Sequence, residues 1–291
     1  MPLIVILAAM GALLGSFAVA QVWRLRARQL VIDKRDGEPV DAVELRQLKG
    51  LLRPVKGDRS ECLSCHHRLA WYDLIPVISW LSLGGKCRYC RKPIGVTELL
   101  AEAGLALVFA ISYIAWPYPF TGILQLVPFV LWLIACVLLT ILLVYDAKWS
   151  LLPFAINIGL IIIGVLYVAM LVLSGVAIDW PSLAGGVVLL GGLYLLFSLL
   201  GWVGMGDGIL GIGLALFLVD WQLAFLTLFL ANLLGCFMLI PLYFRKRLHR
   251  QARIPFGPFL IVAAVISLLA GKWLISYLFG TSGLLVNLLM L

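Results

Sequence analysis

The chain has 291 residues, is 63% hydrophobic and 12% charged, and carries a formal net charge of +8. Charged residues run near a quarter in soluble domains, so these proportions exclude an ordinary soluble globular protein. The basic excess lacks any aromatic-interleaved basic motif, which sets nucleic acid aside and leaves membrane topology and anionic lipid headgroups as its use.

The first apolar run, "LIVILAAMGALLGSFAVAQVW", has no basic segment before it and ends in "RLRAR" rather than in small residues. It therefore reads as a retained anchor over 2–23, not as a cleaved signal. Residues 24–97 hold 15 of the 22 Lys and Arg residues and four of the six cysteines, and read as one soluble insert. Further apolar runs follow at about 99–116, 122–145, 151–173, 183–200, 203–219, 223–243 and 255–272. Each is about long enough to cross a hydrocarbon core of roughly 30 Å. Between Gly208 and Phe244 the only charge is Asp220, and a break there gives a hairpin.

With eight spans, "RLRAR", the insert, Lys148 and "RKRLHRQAR" fall on one side, and only Lys272 falls on the other. The positive-inside rule makes the basic side the cytoplasm. The expected fold is thus an all-α polytopic membrane protein of about eight transmembrane helices with a small cytoplasmic zinc-ribbon-like insert. Its expected domains are a first transmembrane helix (1–23), the insert (24–97) and a transmembrane bundle (98–291).

Within the insert, "VIDKRDGEPVDAVELRQLKGLLRPVKGDRS" carries mixed charge, and "DAVELRQLKGLL" has the spacing of a short amphipathic helix, either a plain solvated face, the favoured reading, or one at the membrane surface. Cys62-x₂-Cys65 and Cys87-x₂-Cys90 are separated by the 21 residues from His66 to Lys86. That is close to the usual two-knuckle zinc spacing. Four thiolates would close a tetrahedral site with no open position, which means a structural ion rather than a catalytic one. Disulfides are disfavoured in a reducing cytoplasm, and His66 or His67 could replace one thiolate. The intervening "LAWYDLIPVISWLSLGG" reads as short strands broken by turns. Cys136 and Cys236 lie within spans and read as packing residues.

Beyond Glu102 only four carboxylates remain: Asp146, Asp179, Asp207 and Asp220. Parity places Asp179 and Asp220 in outer turns beside tryptophans, where an aromatic belt is expected. It places Asp146 and Asp207, 61 residues apart, at the same end of two different spans. Asp146 follows "LLTILLVY" at a helix carboxyl end, where an anion opposes the helix dipole. Asp207 stands in "GWVGMGDGILG", whose glycines permit close, irregular backbone, with the helix or its mouth expected to start near Trp202. An ionisable group at such depth is a functional candidate by default. Two nearby aspartates split their titration, so that one holds a proton while the other acts as a base. Such a pair can activate water against a peptide carbonyl and protonate the leaving amine.

"GMGD" (Gly204 to Asp207) resembles the G-x-G-D motif of intramembrane aspartyl proteases, and "DAKWSLLP" (Asp146 to Pro153) resembles the first aspartate motif of the type IV prepilin peptidases. "LLGSF", "RSECLSC…ISWLSLGGKCRYCRKPI" and "IPFGPFL" are similar to that family in the same order. The resemblance implies an aspartyl endopeptidase of the bacterial inner membrane that removes the basic leader of type IV prepilins or pseudopilins at the cytoplasmic face. It maps the catalytic pair onto Asp146 and Asp207, with Gly204 and Gly206 in the active-site loop and structural zinc on Cys62, Cys65, Cys87 and Cys90. Many members also methylate the new amino terminus with S-adenosylmethionine.

The chain departs from the family at Phe154, where an acid is usual, at Ile209 (lysine), at Val19 (asparagine) and at "RLR" in place of "RLP". Neither aspartate is touched, so proteolysis stands as the expected activity and methylation stays open. "IPFGPFL" is either a helix start or an extended segment that pairs with substrate. The alternative from another class is a non-enzymatic membrane assembly or scaffold protein with a zinc-bound interaction module, whose aspartates merely cap helices.

Overall fold

The computed structural model describes residues 2–52, 60–201, 203–244 and 255–279. The "RKRLHRQAR" cluster, Trp202 and Ile254 lie outside the described residues. The chain divides into two compact units, Met1–Ala110 and Ile111–Leu291.

In the first unit, α1 (Pro2–Arg35) runs about 51 Å at 1.5 Å per residue. It continues some three turns past the expected end at residue 23, because nothing in "RLRARQLVIDKR" breaks a helix. The middle of α4 (Val96–Ile114) approaches it closely at two α1 glycines. A Cβ added at Gly11 would meet the Leu105 carbonyl at 2.6 Å, and one at Gly15 would meet the Ala101 carbonyl at 2.8 Å. Gly11 and Gly15 are four apart, the spacing that lets two membrane helices approach backbone to backbone.

The amphipathic helix exists as α2 (Ala42–Leu48), capped by Asp41, whose Oδ1 accepts the Val43 N–H at 2.8 Å. Its apolar face is not turned to lipid. Leu48 is buried with Ala27 and Leu30 of α1, and Trp23, Val40 and Leu45 pack around them. A bidentate Arg26–Glu44 pair at 3.0 and 2.7 Å fixes the two helices on their polar side.

Between the knuckles the expected strands do not form. Trp71–Leu74 is a turn of 3₁₀ helix and α3 (Ile78–Ser82) a short α-helix. The only pairings in the described residues are two isolated bridges, Glu61 with Arg68 and Lys86 with Pro93. Pro76 removes a ladder donor here. The Val77 N–H is taken instead by Glu102 Oε2 of α4 at 2.7 Å, which draws the segment onto a helix rather than into a sheet.

The second unit is a bundle of α5 (Ile123–Trp149), α6 (Phe154–Leu173), α7 (Trp180–Val187), α8 (Leu193–Leu199), α9 (Met205–Leu218), α10 (Trp221–Phe244) and α11 (Gly257–Phe279). One π-helical stretch, Val188–Gly192, joins α7 to α8 into a single rod. Across the described residues seven helices are long and apolar enough to cross a membrane. The eighth apolar segment is α9, whose 14 residues span about 21 Å, short of a hydrocarbon core. It persists because it is sheathed by protein: Leu210, Leu214, Ala215, Phe217 and Leu218 are all buried.

Glycines let its neighbours close in. A Cβ at Gly213 would meet Leu160 of α6 at 2.9 Å, and one at Gly208 would meet Leu195 of α8 at 2.7 Å. At the centre, the Phe217 ring lies between those of Trp132 and Tyr167 in tilted contacts, with centroids 5.7 and 5.0 Å apart. Cys136 is buried as a packing residue, whereas Cys236 is exposed on α10.

The bundle's two ends differ in chemistry. One end holds a cavity of about 330 Å³ whose lining includes Tyr118, Asp179, Ser182, Asp220 and Lys272. There Asp220 Oδ1 accepts the Gln222 N–H at 2.8 Å, the helix-start role expected of a turn aspartate. At the other end of α9 stands Asp207, and beside the start of α11 stands Asp146.

Candidate active site and metal centre

Asp146 lies in the last turn of α5, which runs on to Trp149 and closes on Ser150 in a left-handed C-cap, the Ser150 N–H donating to the Asp146 carbonyl at 2.7 Å. The carboxylate therefore faces the adverse end of its own helix dipole. A second helix supplies the compensation. α11 begins at Gly257, and the Gly257 N–H donates to Asp146 Oδ2 at 3.0 Å in a buried contact. The free N–H groups and positive dipole of that helix start offset the cost of the α5 terminus. Asp146 is only 4% exposed.

From Gly257 onward "IPFGPFL" is thus a helix start, and the first N–H of that helix is spent on an aspartate of another helix. An added Cβ at Gly257 would stand 2.6 Å from Asp146 Oδ2, so a larger residue there would displace that carboxylate.

Asp207 sits in the first turn of α9, which starts at Met205 with Gly204 as its N-cap. The helix begins three residues later than expected, because Gly204 is extended (φ −71°, ψ 144°). An acid in a first turn is favoured by the dipole, so both carboxylates are served by helix N-termini, one of its own helix and one of another. The Asp207 N–H donates to the Gly204 carbonyl at 3.1 Å. Gly206 is closed on by Leu152, to which an added Cβ would come within 2.9 Å.

Asp146 and Asp207 lie within electrostatic reach of each other. Around them, Tyr194 of α8 is buried within reach of Asp207, and its ring packs on Phe256, 5.5 Å between centroids, one residue before Gly257. Asn157 of α6 donates from Nδ2 to the Gly206 carbonyl at 3.3 Å. Sequence reasoning passed over Asn157 and Tyr194. The available signal for Asn157 was a lone amide in "PFAINIGLIIIGVLYVAM". The structure thus brings together Asp146, Asp207, Gly204 and Gly206, and adds Gly257, Asn157 and Tyr194.

In the first unit, the thiols of Cys62, Cys65, Cys87 and Cys90 all lie within 4.8 Å of one another, and Cys62 Sγ is 3.9 Å from Cys90 Sγ. A tetrahedral ion with metal–sulfur bonds of about 2.3 Å requires sulfurs roughly 3.8 Å apart, so the four thiols fit one. The two knuckles are copies of each other. The Cys62 N–H donates to the His67 carbonyl at 3.0 Å and the His66 N–H to the Cys62 carbonyl at 2.8 Å. The Cys87 N–H donates to the Lys92 carbonyl and the Arg91 N–H to the Cys87 carbonyl, both at 2.9 Å. His66 (φ 56°) and Arg91 (φ 59°) hold the matching left-handed positions.

The histidines are engaged outside the thiol cluster, His66 Nδ1 with Glu61 Oε1 at 3.3 Å and His67 against the Tyr89 ring at 3.6 Å. Asp73 braces the second knuckle through Arg88 at 2.8 Å and the Tyr89 hydroxyl at 3.2 Å. Burial raises its carboxyl, but those donors and the Ala70 N–H outweigh it and hold Asp73 below the usual carboxylate range.

A helical bundle with two buried-edge aspartates at one end, joined in the same chain to a double cysteine knuckle, defines a polytopic membrane protein of the aspartyl-site class. The profile of the bacterial peptidase A24 N-terminal domain matches residues 9–116. The chain is 34% identical over 222 residues to a prepilin leader peptidase/N-methyltransferase of Aeromonas hydrophila, covering 73% of this chain and 72% of the relative. It is 31% identical over 273 residues to the protein of the same name from Pseudomonas putida, covering 90% and 88%. The corresponding Pseudomonas aeruginosa protein is 29% identical over 269 residues, covering 90% and 88%. The chain belongs to the prepilin leader peptidase/N-methyltransferase family. No solved structure matches it.

Proposed function

We propose that this protein is a membrane-embedded aspartyl endopeptidase that removes the basic leader from type IV prepilins or pseudopilins. The observation that carries the proposal is the pair Asp146 and Asp207, brought to one end of the bundle on different helices and held by Gly257 and by the α9 turn. The names of its relatives support the substrate class.

In the reaction, the ionised carboxylate of the pair takes a proton from a water molecule, whose oxygen adds to the scissile carbonyl carbon. The protonated partner hydrogen-bonds that carbonyl oxygen as charge gathers on it. Collapse of the tetrahedral intermediate breaks the C–N bond, and a carboxyl proton passes to the leaving nitrogen. Each carboxylate must keep its orientation through this exchange, and Gly257 N–H does that for Asp146.

The site belongs to the cytoplasmic face of the inner membrane, where the basic loops face anionic lipid. Cys62, Cys65, Cys87 and Cys90 would hold a structural zinc ion, which staples a module too small to fold on its own core. N-methylation with S-adenosylmethionine is a second activity suggested by the relatives' names.

The test is incubation of the purified chain in lipid nanodiscs with a prepilin segment carrying its leader and apolar helix. Mass spectrometry should show a cut between the two, and a substrate left intact would contradict the proposal. Added S-adenosylmethionine would put a single-methyl increment on the new amino terminus if the second activity is present.

A further inference from the structure

The buried residues of α6 are Asn157, Leu160, Gly164, Tyr167, Val168 and Leu171, of which Asn157, Leu160, Gly164 and Tyr167 meet α9. All but the first are apolar or small, apart from the distal Tyr167 hydroxyl. Asn157 is 1% exposed. Its amide makes one long hydrogen bond, Nδ2 to the Gly206 carbonyl at 3.3 Å, and its Oδ1 is buried with no partner among the described residues. A buried amide half-satisfied in this way is a poor choice for stability, because an apolar side chain at the same place would leave no polar atom stranded. Its retention calls for another reason.

The bond has a particular target. The Gly206 carbonyl and the Asp207 N–H belong to one planar peptide unit. That plane is held at its N–H end by the Gly204 carbonyl, 3.1 Å away, and at its carbonyl end by Asn157. Leu152 closes on the same glycine, with 2.9 Å to an added Cβ. Leu152 and Asn157 both lie in the segment that follows Asp146 directly, after the Ser150 cap. One stretch of eight residues, Ser150 to Asn157, therefore runs from the end of one aspartate's helix to the peptide that carries the other.

We infer that Asn157 is a positioning residue for the reaction: by gripping the Gly206–Asp207 peptide it sets the place of the Asp207 carboxylate relative to Asp146. The inference rests on the aspartyl-protease reading above. Removal of the grip leaves the fold intact and lets the α9 mouth rotate, which lowers the rate of the chemical step. Substrate affinity is little affected, because Asn157 is buried and does not touch substrate. Misplacement of reacting groups by about 1 Å costs on the order of a hundredfold in rate, so a loss of about ten- to a hundredfold in kcat is expected, with KM changed less than about threefold.

The experiment uses the full chain in nanodiscs with a prepilin segment, and compares Asn157→Ala, Asn157→Leu, Asn157→Gln, Asp146→Asn and Asp207→Asn. The expected result is a fall in kcat for Ala and Leu, with KM and Tm at or above the native values, and partial recovery by Gln, which keeps a donor amide. Two results would overturn it: Ala and Leu variants within about twofold of native kcat, or a fall in kcat matched by a fall in Tm in both, which is a merely structural role. The aspartate arms separate the two layers. If both aspartate variants are inactive and the Asn157 variants are not, only this inference fails. If the aspartate variants cleave, the underlying protease reading fails with it.

Discussion

Replacing Gly257 by alanine tests how tightly Asp146 must be held. The added Cβ would stand 2.6 Å from Asp146 Oδ2 and 3.3 Å from its Cγ, where ordinary contact begins at 3.4 Å, so the carboxylate oxygen must retreat by about 0.8 Å. Its 3.0 Å bond from the Gly257 N–H lengthens or bends accordingly, and donor–acceptor pairs that distant are weak. A displacement of that size in a reacting group corresponds to about ten- to a hundredfold in rate. The contact is at the bundle's end, not its centre, so Tm should fall only modestly, by an overpacking cost of about 1–3 kcal/mol at most. The assay is steady-state cleavage of a prepilin segment, read by gel shift or mass spectrometry, with kcat and KM separated. A Gly257→Ala variant with native kcat would show that Asp146 is not held by this contact, or that its placement does not matter.

Other consequences concern the first unit and its metal. Elemental analysis of the purified protein should find about one zinc per chain, lost together in a Cys62→Ser variant, and a strong chelator should render residues 60–95 sensitive to protease; full retention of metal in that variant would contradict a four-thiolate site. Gly11→Leu places a side chain against the Leu105 carbonyl, already 2.6 Å from an added Cβ, and should destabilise the α1–α4 pair by about 1–3 kcal/mol, seen as a lower Tm with metal retained. An unchanged Tm would mean that the two helices do not rely on this approach.

How much of this was legible beforehand varies with the physics involved. The spans were readable because about twenty apolar residues in a row have few other uses, and the cysteine cluster because C-x₂-C pairs encode their own turn. The short α9 escaped because twelve or more apolar residues read alike whether sheathed by lipid or by protein; only the packing of Gly208 and Gly213 against α8 and α6 separates the cases. The strands expected between the knuckles failed for a tertiary reason, since the Val77 N–H finds Glu102, 25 residues away, rather than a neighbouring strand. The α2 face was read as a solvated or membrane-surface face, although Ala27 and Leu30 of α1 cover it. Of the site, the aspartates stood out because charge in an apolar run is costly. Their supports did not: a backbone N–H from Gly257 and a buried amide at Asn157 leave no mark in a sequence until the helices carrying them are brought together.

The most direct measurement is cleavage of a leader-bearing prepilin by the Asp146→Asn and Asp207→Asn proteins, each confirmed as folded, metal-loaded and membrane-inserted. Asparagine keeps the size of each side chain but can neither take nor give the reaction's proton. Two acids that share the work predict loss of cleavage in both single variants, by about a thousandfold or more, if each proton transfer is worth about 10²–10⁴. Cleavage near the native rate by either variant would contradict a paired-aspartate mechanism.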